Sequence, residues 1–110
     1  TLLVGDGPHR ARLESALPEG VRLLGERDPL EAYRAADLFV LPSSREGFSY
    51  VCCEAMSTGL PVLRTRTTGT SETVVEHVTG RSVPIDREAF VRAAVELLGD
   101  RGPLASMGHA

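Results

Sequence analysis

The sequence predicts an α/β fold, a Rossmann-like parallel sheet with helices on both faces, and three observations predict it. Short apolar runs alternate with amphipathic stretches along all 110 residues. The run Asp37-Leu-Phe-Val-Leu-Pro42 is apolar without a polar alternation, the pattern of a strand buried on both faces. Turn residues close each run, so the loops Gly5 to Pro8, Gly25 to Asp28, Ser43 to Phe48 and Thr67 to Glu72 follow successive strands. Those loops are expected on the carboxyl rim, where open α/β sheets bind ligands.

In order along the chain, Thr1 to Val4 is a first strand. Gly5-Asp6-Gly7-Pro8 turns it into a helix whose stripe is Arg10, Leu13, Ala16 and Leu17. Arg10 occupies the third glycine position of G-x-G-x-x-G, so the turn does not carry a dinucleotide fingerprint. Pro18-Glu-Gly20 breaks that helix, Val21 to Leu24 is a strand, and Pro29 opens a helix with Leu30, Tyr33 and Ala36 inward. After the apolar run, Ser49 is a candidate N-cap. Val51/Ala55 and Cys52/Met56 are the expected inward pairs, and Gly59 with Pro61 stops the helix. Pro61 to Arg64 is a strand, a short helix ends at Val74-Val75-Glu76, and Thr79 to Val83 is the last strand. Asp86 then caps a helix whose stripe is Phe90, Ala93, Ala94, Leu97 and Leu98, ending near Gly99, and Leu104 begins another.

Composition narrows the function. With 42% hydrophobic residues the chain can build a core, and a formal charge of -3 offers no basic footprint for nucleic acid. No apolar run approaches a membrane span and no leader is visible, so a cytoplasmic location is expected. Cys52 and Cys53 are adjacent and unsuited to a disulfide or a zinc pair; they read as small core residues. His9, His77 and His109 have no i, i+4 partner and the aspartates are scattered, so no metal site is predicted.

The chemistry concentrates between Glu46 and Pro61. The first amides of the helix after Ser49, near Tyr50 and Val51, lack intrahelical acceptors and sit at the positive end of the macrodipole, which favours an anion such as phosphate. Glu46 lies on the loop before it and Glu54 in its second turn, two carboxylates that suit an anion site only if they accept hydrogen bonds from hydroxyls beside the phosphate. Arg64 and Arg66 are the clustered cations downstream, placed to neutralise phosphate or to pair with Glu72 or Glu76.

Glu46-Gly-Phe48, Glu54-Ala-Met56 and Gly59-Leu-Pro61, with seven residues between the glutamates, resemble the E-x7-E signature of retaining GT-B glycosyltransferases, glycosyltransferase family 4 in particular. Ala35 to Ser43, Leu3 to Pro8 and Val78 to Pro84 are similar to the same family, so the likeness covers nearly the whole chain. One departure is Thr68-Gly69-Thr70-Ser71-Glu72, which keeps only the second glycine of the family's Gly-Gly-x-x-Glu turn.

The resemblance implies that residues 1–110 are most of the donor-binding, C-terminal half of a GT-B fold, truncated in its first strand-helix unit and its last helix, with the acceptor domain absent. It implies transfer of a hexosyl group from a nucleoside diphosphate sugar, without cofactor or metal, by a full-length enzyme whose isolated fragment is inactive. Glu46 takes the catalytic position beside the sugar, and the backbone of Gly47, Phe48, Ser49 and Tyr50 holds sugar and phosphate. Glu54 accepts from the ribose hydroxyls, and Gly25, Glu26 and Arg27 approach the base. Read from the residues themselves, the Phe48 side chain is a hydrophobic anchor for its loop rather than a ligand contact. The implied partners are the nucleotide-sugar donor and a carbohydrate or lipid-linked acceptor held by the absent domain, to which any peripheral membrane association would fall. Two alternatives stand beside this reading: a non-catalytic α/β module binding nucleotide or protein, and a related sugar-nucleotide epimerase.

Overall fold

A computed structural model of the chain describes residues 1–108; His109 lies outside the described residues. The chain divides into two compact units, Thr1–Ala35 and a second from Ala36 onward. Every strand pairing in both is parallel.

In the first unit, β1 (Leu2–Val4) pairs with β2 (Arg22–Gly25), with α1 (Arg10–Glu14) between them and α2 (Leu30–Ala35) after. The Gly5 amide donates to the Gly25 carbonyl at 2.8 Å, which ties the loops following the two strands together. Asp28 accepts the Leu30 amide at 3.0 Å and starts α2. Tyr33 is buried as expected, but α1 buries none of its predicted stripe and Leu30 is exposed. Arg10 instead pairs with Glu14 at 2.8 Å and Asp6 at 3.8 Å along the exposed face of α1.

The second unit is built on a three-stranded sheet, β3 (Phe39–Leu41), β4 (Val62–Thr65) and β5 (Gly80–Val83), in that order. The strand buried on both faces is β4, the central one. The sequence pattern pointed to β3, which pairs only with β4 within this unit and leaves Val40 40% exposed. Pleating sends Leu63 to one face, where it packs with Val83, Ala93, Leu97, Leu104 and Met107 of β5, α5 (Arg87–Gly99) and α6 (Arg101–Gly108). Val62 and Arg64 point the other way, toward α3 (Tyr50–Ser57) and α4 (Thr70–Thr73). Helices therefore flank the sheet as the pattern predicts.

The helix ends follow local chemistry. Ser49 is the N-cap of α3, its hydroxyl accepting the Cys52 amide at 3.3 Å, and Asp86 caps α5 through the Ala89 amide at 3.1 Å. At the other end of α3 the Gly59 amide donates to Met56 at 2.9 Å and the Leu60 amide to Ala55 at 3.3 Å. This is a Schellman closure that requires the left-handed φ of 80° at Gly59. The buried face of α3 is Cys52 and Ala55 with Met56 partly covered; Val51, expected inward, is exposed. The helix expected to end at Glu76 stops at Thr73, because Val74 is extended and Glu76 bridges to Gly80. Leu98 is exposed at the end of α5, whereas Phe90 and Ala94 pack on the core. Among the described residues no helix is long and apolar enough to cross a membrane.

Candidate donor site at the start of the third helix

The segment Ser43 to Ser49 links the carboxyl end of β3 to α3, and three anchors fix it. The buried Thr65 hydroxyl donates to the Ser43 carbonyl, tying the exit of β3 to β4. Ser49 is itself buried beneath the first turn of α3. Between these anchors, the turn carrying Gly69 rests on the backbone of Gly47 and Phe48. A Cβ built on Gly69 would stand 2.9 Å from the Gly47 carbonyl oxygen and 3.1 Å from the Phe48 nitrogen, and Gly69 has a φ of 80°. The one glycine kept from the family's pair is the one this close approach needs.

The amides of Tyr50 and Val51 have no internal acceptor among the described residues, as the first turn of a helix requires, and the helix dipole favours negative charge at that end. Glu46, three residues before the cap, is half-buried, and Glu54 is exposed in the second turn of α3. The Cys52 thiol registers the surroundings. Burial pushes its pKa up, aided by the Cys53 and Glu46 charges, while Ser49 and the Arg64 guanidinium act the other way. Glu46, Ser49, Cys52 and Arg64 thus share one electrostatic neighbourhood. Cys52 is a buried core residue as expected, and Cys53 is half-buried.

Two expectations need correction. Phe48 does not anchor its loop in a core: the residue is 46% exposed, and its ring meets the Tyr50 ring edge-on, with centroids 5.3 Å apart. Nor do the two arginines pair with Glu72 or Glu76. Arg66 donates to the Ser82 carbonyl at 3.1 Å and its hydroxyl at 3.3 Å, and Glu76 accepts the Ser82 amide at 2.7 Å and the Ser82 hydroxyl. Arg64 is only 1% exposed, with no carboxylate within salt-bridge distance among the described residues. It donates to the hydroxyls of Thr73 at 2.8 Å and Thr67 at 2.7 Å, and to the Thr65 carbonyl at 3.4 Å. The signal for this burial was the threonine-rich run after β4, which supplies more hydroxyl acceptors than a surface turn uses.

Gly25, Glu26 and Arg27 belong to the first unit. Gly25 is buried with a φ of 74°, and a Cβ there would meet the Arg10 guanidinium at 3.0 Å. Arg27 folds back on its own loop and donates twice to the Leu24 carbonyl, at 2.7 and 3.0 Å, and Glu26 is exposed. Among the described residues no group of three or more His, Cys, Asp or Glu side chains could hold a metal ion.

Known proteins share both the sequence and this architecture. The family model described as glycosyl transferases group 1 matches residues 1–100. A GDP-mannose-dependent alpha-mannosyltransferase from Mycobacterium tuberculosis is 39% identical over 87 residues, covering 76% of this chain and 23% of that protein. A D-inositol 3-phosphate glycosyltransferase from Corynebacterium urealyticum is 38% identical over 91 residues, covering 79% of this chain and 22% of its own length. Among solved structures, a sucrose-phosphate synthase from Thermosynechococcus elongatus superposes with a TM-score of 0.86 at 32% identity, over 97% of this chain and 31% of that one. Anabaena HepE, in complex with UDP and glucose, gives 0.84 at 25% identity over 97% of this chain and 33% of its own. The chain spans under a quarter of the length of these two relatives. With a family model matched across its strands, its glutamate-bearing loop and α3, and GT-B glycosyltransferases sharing its fold, the chain belongs to the glycosyl transferases group 1 as a C-terminal domain of that fold.

Proposed function

We propose that the chain is the donor-binding part of a retaining glycosyltransferase of the family 4 type, which moves a sugar from a nucleoside diphosphate sugar to an acceptor hydroxyl on a carbohydrate or lipid-linked partner. The observation that carries this is the pairing of Glu46 with the open amides of Tyr50 and Val51, on a loop fixed by Thr65, Gly69 and Ser49. An anion at those amides and a hydroxyl-bearing group at Glu46 describe a sugar phosphate. The relatives point the same way: one is named for a GDP-mannose donor and a structural neighbour holds UDP and glucose.

In this reading the diphosphate sits at the start of α3, and the bond from the anomeric carbon to its phosphate oxygen breaks as the acceptor oxygen bonds that carbon. The acceptor proton passes to the departing phosphate oxygen as this bond forms, and the nucleoside diphosphate departs with the electron pair of the broken bond. Helix amides, rather than a metal ion, stabilise the leaving charge. Glu46 accepts hydrogen bonds from the sugar and steadies positive charge at the anomeric centre. Glu54 offers two acceptor oxygens to the vicinal ribose diol. The backbone of Gly47 to Tyr50 lines the sugar and phosphate. Base contacts by Gly25 to Arg27 rest on the family resemblance alone, and the Arg27 guanidinium is already engaged by Leu24.

The test is made on the full-length protein. Glu46→Gln is expected to lower kcat by at least about a hundredfold, the range seen when one transition-state charge contact is lost, with nucleotide affinity held within about twofold. Proton NMR of the first product formed should show the anomeric configuration of the donor. An inverted product removes the retaining mechanism, and an unaffected Glu46→Gln removes the role of Glu46.

A further inference from the structure

Arg64 is a buried cation that the reading above does not use. Burying a guanidinium without a carboxylate is unfavourable unless its donors are satisfied, and here they are satisfied by hydroxyls and a carbonyl. Those acceptors are not scattered. Nη2 holds Thr67 and Nη1 holds Thr73, the two ends of the segment that carries Gly69. Inside that segment the Thr70 hydroxyl accepts the Thr67 amide at 2.8 Å and donates to the Thr67 carbonyl at 2.8 Å. The Thr73 hydroxyl donates to the Thr70 carbonyl at 3.2 Å. A planar fork on the rigid central strand therefore grips a turn at both ends, and the turn lies on the Gly47–Phe48 backbone.

We propose that Arg64 is a positioning residue for the nucleotide-sugar site: its forked guanidinium holds the Thr67–Thr73 turn, and Gly69 of that turn sets the position of the Gly47–Phe48 loop beside Glu46. The proposal rests on the donor-site reading, since the loop it positions is the one assigned to sugar and phosphate. An ammonium at the same place carries the charge but cannot reach both hydroxyls in one plane, so the fork and not the charge is what matters. Removing the guanidinium leaves the Thr67 and Thr73 hydroxyls with carbonyl acceptors of their own, Thr68 for one and Gly69 and Thr70 for the other. Loss of Arg64 is accordingly tolerated by the fold and felt by the loop.

The test compares wild type, Arg64→Met and Arg64→Lys. Amide spectra without ligand are recorded first, followed by titration with UDP, GDP and ADP. The expected result for Arg64→Met is a thermal midpoint unchanged or raised, displaced Gly47, Phe48 and Gly69 amide signals, and at least a tenfold weaker Kd for the nucleotide that wild type binds. Arg64→Lys is expected to stay within threefold of Arg64→Met. Unmoved loop signals, or wild-type Kd in either variant, overturn the proposal while leaving the donor site standing. If wild type binds none of the three nucleotides, the donor-site reading fails and this proposal fails with it. Should Arg64→Met not fold, Thr67→Ala removes one prong at a half-buried position, and unmoved Gly47 and Gly69 signals there overturn the clamp equally.

Discussion

Gly80→Ala is expected to destabilise the second unit by at least about 3 kcal/mol, the upper range of overpacking costs, and to abolish the folded signal in a marginal background. Gly80 opens β5 opposite Val62 of β4, where the Val62 amide donates to the Thr79 carbonyl at 3.2 Å. A Cβ built on Gly80 falls onto the Val62 carbonyl oxygen, with the Val62 carbon at 2.9 Å and its nitrogen at 3.0 Å. All three are backbone atoms of the central strand, so no rotamer change relieves the collision. The only relief is to move β5 off β4, and that unseats Val83 from the core it shares with Leu63, Ala93 and Leu97. The φ of Gly80 is ordinary, so the effect is purely steric. Urea unfolding of the chain measures it, and Gly99→Ala is the control. A Cβ on Gly99 meets nothing within 4 Å at the end of α5, and that change is expected to be neutral or stabilising within about 1 kcal/mol.

Gly69→Ala is the second large effect, and it divides between stability and the site. The left-handed φ of 80° costs a Cβ-bearing residue about 1–2 kcal/mol, and the approach to Gly47 and Phe48 adds a steric cost of similar size. The colliding partner is a loop, which can retreat where β4 cannot. About 2 kcal/mol of stability is therefore expected to be lost, with the remainder appearing as displacement of the Gly47–Phe48 backbone. In amide spectra Gly47 and Phe48 should shift more than any residue of α5, and nucleotide affinity should fall at least tenfold. Gly69→Asn separates the two causes, because Asn tolerates the left-handed region but carries the same Cβ. Asn behaving like Ala identifies the close approach as the cause; Asn behaving like Gly identifies the dihedral.

The features legible in the sequence are those governed by a residue and its near neighbours. Ser49 and Asp86 cap their helices and Gly59 closes α3, because a cap is a hydrogen bond over three residues and a left-handed stop is a property of one. The parallel α/β class was legible from the alternation of short apolar runs with helical stripes. What escaped depends on neighbours distant in the chain. Which apolar run is central cannot be read from its own residues, and β4, with an arginine in it, proved more buried than the uninterrupted run of β3. Val51 and Cys52 are equally plausible on the inner face of α3 until the direction of β4 is known. At the candidate site, the two glutamates and the helix start were legible as a motif. The stacking of the Gly69 turn on Gly47 and the grip of Arg64 on Thr67 and Thr73 were not, since both join loops that follow different strands.

The central claim is that Glu46 to Glu54 forms a nucleotide-sugar site, and the most direct test is an amide NMR titration of the full-length protein with UDP, GDP and ADP, repeated on Glu54→Gln. One nucleotide should shift the signals from Glu46 to Glu54, with those of Tyr50 and Val51 moving furthest. Glu54→Gln should weaken that nucleotide at least about tenfold, the equivalent of one charged hydrogen bond. Signals from Glu46 to Glu54 that stay still at millimolar concentrations of all three nucleotides, or shifts that survive Glu54→Gln with unchanged affinity, would contradict the assignment.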